Sequence, residues 1–165
     1  MKKKKRRKSS KLNPILSRGI ISILLVVFAV LIGLSFFQKA GVVGIVLNDY
    51  ILSFLFGKIR YTTPVIIVIL VWFIVQDRRY RYRATHFIGA ILFFLAASSL
   101  FHISFETKEM WYEALEGNGG GVFGMPALVL KGYLGAVAGI TVLVGLVLVS
   151  VVLIFNTAIT HFILI

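Results

Sequence analysis

At either end of the apolar part of this chain a stretch runs long enough to cross a bilayer without meeting a charged residue. The two are 19–37 (GIISILLVVFAVLIGLSFF) and 134–155, the second of 22 residues. A helix rises about 1.5 Å per residue and a hydrocarbon core is about 30 Å thick, so roughly 20 apolar residues make one crossing. Inside lipid every backbone N–H and C=O must find a partner within the protein, so such stretches are helices. Two further runs join them. Residues 61–75 (YTTPVIIVILVWFIV) are uncharged over 15 positions, with Arg60 and Gln76 able to snorkel at the ends. Pro64 falls in the first turn of that run, where its missing N–H costs least. Residues 87–105 are uncharged over 19 positions, between His86 and Glu106. The expected fold is an all-α integral membrane protein with four spans, at about 19–37, 59–76, 86–105 and 134–155.

Composition agrees with that class and excludes others. Of the 165 residues 59% are hydrophobic and only 15% charged, too few polar groups to coat a water-soluble domain of this size. The same richness in hydrophobics excludes a disordered chain. Cysteine is absent, which removes disulfides, thiolate metal sites and a cysteine nucleophile.

The segment 40–57 (AGVVGIVLNDYILSFLFG) is long enough to cross but carries Asn48 and Asp49 near its middle. A central Asp costs about 3 kcal/mol on insertion. Charge asymmetry decides its placement. With four spans and the N-terminus inside, thirteen basic residues lie inside: Lys2, Lys3, Lys4, Lys5, Arg6, Arg7, Lys8, Lys11, Arg18, Arg78, Arg79, Arg81 and Arg83. Five lie outside: Lys39, Lys58, Arg60, Lys108 and Lys131. A fifth span at 40–57 would reverse the DRRYRYR loop and break this pattern, so the segment is expected to be an interfacial or re-entrant amphipathic helix. Both termini are then cytoplasmic. The first apolar stretch exceeds a signal peptide's usual core and is followed by SFFQK, without a small-residue cleavage site, so it is expected to stay as an anchor.

The chain therefore divides into a basic cytoplasmic tail (1–18), a four-span membrane domain (19–158) and the start of a cytoplasmic linker (159–165). The last ten residues, NTAITHFILI, lack the Lys or Arg expected just inside a membrane, which suggests that more protein follows. The outer loop 106–131 holds Glu106, Glu109, Glu113 and Glu116, with Trp111 and Tyr112 suited to a membrane–water boundary.

The basic block of the tail is best explained as a topology and lipid device, each charge near anionic head groups contributing about 1 kcal/mol. Lys and Arg also neutralise nucleic-acid phosphates, but no aromatic residues interleave here to stack on bases. Residues 119–124 (GGGVFG) formally match G-x-G-x-x-G, yet no strand precedes them, so a dinucleotide site is not expected. A flexible turn leading to a short helix is the expected structure. Gly132, Gly135 and Gly139 are spaced to share one face of the last span, and Gly135-x-x-x-Gly139 permits close helix packing in lipid. His86, His102 and His161 stand at span edges without the spacing of a metal site. No span centre holds an acid or base of the kind that marks ion pathways, and no nucleotide-binding or hydrolase motif is present. No catalytic, cofactor-binding or metal-ligating residue is expected in this chain.

Taken in order, a basic tail, one span and then GVVGIVLNDYILSFLFGKIRYTTPVIIVILVWF (41–73) resemble the N-terminal membrane domain of the FtsK/SpoIIIE-type bacterial DNA translocases. The residues that carry the likeness are Gly44, Asp49, Phe56, Gly57, Tyr61 and Pro64, followed by the glycine-led segment with Gly120, Gly121 and Gly124 and by the last span. Asn48 stands where many members have a small residue. The resemblance implies a four-span domain at the division septum of the bacterial plasma membrane, joined by a linker to a hexameric ATPase that moves double-stranded DNA during chromosome segregation. It implies homo-oligomers, division-site membrane proteins as partners, and ATP with Mg only in a C-terminal motor that these residues do not include. The rival reading is a free-standing small polytopic membrane protein, such as a transporter subunit or pore former.

Overall fold

The computed structural model describes residues 14–76 and 83–155, and among these there are helices and turns but no strand. Helix α1 is Pro14–Phe36, 23 residues or about 35 Å long. It ends in a tight turn in which Gln38 takes a left-handed φ of 57° and Lys39 N–H donates to Leu34 O at 3.0 Å. That turn satisfies carbonyls the helix end would otherwise leave bare. The chain then folds back: a side chain at Gly44 would come within 2.6 Å of Ala40 Cβ and 3.3 Å of Ser35 Cα.

The segment between the first two spans is helical in pieces. Helix α2 (Gly41–Ile45) runs into a π-helix at Val46–Leu52 and then α3 (Ser53–Phe56). Asn48 and Asp49 sit in the π turn, with Asn48 Nδ2 donating to Asp49 Oδ1 at 2.7 Å. At Gly57 the backbone takes φ 54° and ψ −128°, a conformation open to glycine at little cost, and the chain changes direction. A 3₁₀ stretch (Gly57–Thr62) leads into α4 (Thr63–Gln76), with Pro64 in its first turn as expected. The 35 residues Gly41–Val75 thus form one apolar helical run, but the break at Gly57 separates its first part from the span proper.

Helix α5 is Arg83–His102, α6 is Met110–Leu115, and α7 is Pro126–Phe155. Among the described residues four helical runs are long and apolar enough to cross a membrane: Leu16–Phe36, Gly41–Val75, Ala84–His102 and Val122–Phe155. The architecture is the expected all-α, four-span one with an additional helical segment between the first and second spans. The edges shift. Helix α5 stops at His102 rather than 105, because Lys131 Nζ donates to the carbonyls of Ile103 (3.1 Å) and Phe105 (2.6 Å) and holds them in a turn. Helix α7 is broken at Gly135 (φ 78°, ψ 168°): its longer part begins there, beside the expected 134, and a shorter part before it opens on Pro126, with proline in the position that needs no N–H.

Helix α1 packs on α4, and α5 lies between α4 and α7. One core cluster joins Ile59 and Ile66 to Ala90, Phe94 and Ala97 of α5 and to Ile154 of α7, with Phe56, Phe73 and Phe123 against it. A second joins Ile103, Met110, Ala127 and Leu143 under the outer loop. Most of the large side chains on α1 and α7 point outward, among them Leu24, Val30, Val137 and Leu148. Those faces suit lipid, which is as apolar as they are.

Candidate functional site

Five of the residues that carry the family likeness, Phe56 and Gly57 before α5 and Gly120, Gly121 and Gly124 after it, converge at one end of the bundle. The loop 117–124 lies against the turn at Gly57, backbone to backbone. Lys58 N–H donates to Gly119 O at 2.7 Å, and a side chain at Gly57 would run into that same carbonyl. At Gly121 a Cβ would sit 2.5 Å from Phe54 O and 2.8 Å from Gly57 N. At Gly120 it would strike Ser98 O of α5, and at Gly124 it would lie 2.7 Å from His102 Cβ. Phe56 closes the knot, its ring 4.4 Å from Phe94 and edge-on to Phe123 at 4.9 Å. Phe56, Gly57, Gly120, Gly121 and Gly124 therefore form one contact between segments some sixty residues apart. The expected flexible turn is instead a packed element, because these glycines serve close approach as much as freedom.

Helix α5 presents a polar face to this knot. Ser98, Ser99 and His102 are fully buried. His102 Nε2–H donates to Met110 O at 2.7 Å, a carbonyl that can only accept, so in the neutral ring Nδ1 is an acceptor; it is buried without a partner. Ser99 Oγ reaches Phe123 O at 3.4 Å. Together with the Lys131 bonds, these tie α5, α6 and the start of α7 into one cap. Sequence reasoning missed Ser98, Ser99, His102 and Lys131 as members. The available signal was that positions 98 and 102 are one helical turn apart in an otherwise apolar span.

The remaining candidates lie apart. Gly44 serves the approach of α2 to α1, and Asp49 is exposed in the π turn. The ring of Tyr61 is edge-on to Phe36 at 4.9 Å. The shared glycine face on the last span needs correction. Gly135 has φ 78° and ψ 168°, which interrupts α7, and nothing lies within 4 Å of its Cβ position. Gly139 alone is buried, its Cβ position 2.9 Å from Ile103 Cδ1. Helical spacing fails across that break, so Gly135 and Gly139 do not form one packing surface. Lys2, Lys3, Lys4, Lys5, Arg6, Arg7 and Lys8, with Arg78, Arg79 and Arg81, lie outside the described residues; Arg83 opens α5.

Among the described residues no three His, Asp or Glu side chains gather as metal ligands. At the other end of α5, His86 is buried, stacked on Phe73 at 4.4 Å, and its Nδ1–H donates to Ile154 O. Both buried histidines hold backbone carbonyls near helix ends, which is a structural use.

Four lipid-facing helices tied by a glycine knot define a polytopic helical membrane domain. The family model for the 4TM region of DNA translocase FtsK/SpoIIIE matches residues 37–164, and the chain belongs to that family. Comparison with curated proteins and with solved structures gave no match.

Proposed function

We propose that this domain is the membrane anchor of a septal DNA translocase in the plasma membrane of a bacterium, with both termini in the cytoplasm. The observation that carries the reading is the family match over 37–164, joined to four apolar helical runs. The anchor gathers copies of the chain into a homo-oligomer, a hexamer by family likeness, and meets division-site membrane proteins through its outer loops. The basic tail and the loop at 77–83 hold to anionic head groups on the cytoplasmic side, where cations are retained. Tethering raises the local concentration of weakly associating motor domains without any new contact between them. ATP, Mg and double-stranded DNA are bound by a motor beyond these residues, in chromosome segregation and cell division.

Reporter fusions test the topology. Cytoplasmic signals are expected after Met1, at Arg79 and after Ile165, and an outer signal at Asn118; an outer signal at Arg79 sinks the orientation. A fluorescent fusion of the full-length protein should collect at division septa. Uniform membrane fluorescence in dividing cells would count against the septal role, and a gene that stops at Ile165 would favour a free-standing membrane protein.

A further inference from the structure

The geometry points to a binding site for one anionic phospholipid, with its phosphate held by Lys58 and Arg60 and an acyl chain lying between α1 and α4. A polar cleft of about 500 Å³ opens beside the Gly57 turn, lined by Ser53, Lys58, Arg60, Tyr61 and Asn118. Arg60 is held in place there. Its Nη1 donates to Ser53 Oγ at 2.6 Å and its Nη2 to Tyr61 OH at 3.2 Å, with the guanidinium 5.0 Å above the Tyr61 ring. Both partners are neutral, so neither cancels its charge. Lys58 is exposed beside it, with its backbone fixed to Gly119. Two cations on one short turn attract an anion, and a guanidinium suits phosphate oxygens.

An apolar groove begins one helical turn further along. It measures about 340 Å³ and is lined by Val26, Ala29 and Val30 of α1 and by Pro64, Val65 and Val68 of α4. Tyr61 of the 3₁₀ stretch stands three residues before Pro64, and Pro64, Val65 and Val68 share one face of α4, so the groove follows the cleft along the same chain segment. This order, a cationic cleft at the head of a span and an apolar trough running down it, is that of a phospholipid. A free phosphate would use the cleft and leave the groove idle. Trp111 and Tyr112, exposed on α6 at the same end of the bundle, suit the depth at which head groups lie. The site lies at the end of α1 remote from Pro14, where Tyr61 meets Phe36, and it needs only that the helices cross a membrane.

Native mass spectrometry of the full chain in detergent tests it, with dioleoylphosphatidylglycerol and dioleoylphosphatidylcholine as competing probes. The tail's attraction is common to all variants, so the readout is the change in phosphatidylglycerol retention between them. Two cations near a head group predict a loss of about thirtyfold for Lys58→Gln with Arg60→Gln. Filling the groove by Val26→Trp with Val68→Trp should lower retention without altering charge, and Lys58→Gln alone should give a partial loss if the Arg60 variant does not fold. Lys108→Gln, elsewhere on the outer face, should change nothing. Unchanged retention in the cation and groove variants, equal loss with Lys108→Gln, or displacement of the lipid by millimolar inorganic phosphate would each overturn the proposal.

Discussion

Helices α5 and α1 are both long enough to cross a membrane, yet 44% of the α5 span is buried inside the protein against 22% of α1. The more buried helix is the less apolar one. Helix α5 carries Gly89, Ala90, Ala96, Ala97, Ser98, Ser99 and His102, whereas α1 is dominated by Ile, Leu, Val and Phe. In water the rule runs the other way. In lipid a large apolar side chain gains little by facing another helix, so small residues mark where backbones approach and polar ones mark where hydrogen bonds cross. The contrast identifies α5 as the post for α7 and the outer loop and α1 as a helix held chiefly along α4.

Substitutions at the two extremes should separate these roles, with stability read by unfolding in mixed detergent micelles. The largest effect is expected for Gly120→Ala, since the added methyl strikes the Ser98 carbonyl of α5; a loss of about 3 kcal/mol is expected. Retention of wild-type stability there would mean that the knot is not the joint it is described to be. Lys131→Met leaves the Ile103 and Phe105 carbonyls without their charged donor and should cost about 2 kcal/mol. Gly145→Ala, in open space on α7, should stabilise by about 0.5–1 kcal/mol through helix propensity and chain entropy. Leu24→Ala on the exposed face of α1 should change stability by less than about 0.5 kcal/mol. A loss there as large as at Lys131 would erase the distinction between post and periphery.

The spans were legible because hydrocarbon thickness sets their length and charge stops them, a constraint local to each segment. Pro64 was legible for the same reason, since a helix's first turn is a local matter. The knot was not. Gly120 and Gly121 could as well have been a loose turn, because glycine serves both mobility and close contact, and the partners that decide between them, Ser98 and Gly57, are remote in the chain. His102 was set aside for lacking a second ligand at helical spacing, while its actual partner is the backbone carbonyl of Met110, which no side-chain pattern encodes. The π turn around Asn48 and Asp49 and the break at Gly135 are likewise backbone events without a residue signature of their own.

The contacts of His86 have a mechanical meaning. A tension applied at Phe155 does not travel up α7 alone, because the Ile154 carbonyl is gripped by His86 and the Phe155 ring leans on Phe73. The strain is divided among three spans at their shared end, and the break at Gly135 sits beyond the point where the load has already been shed.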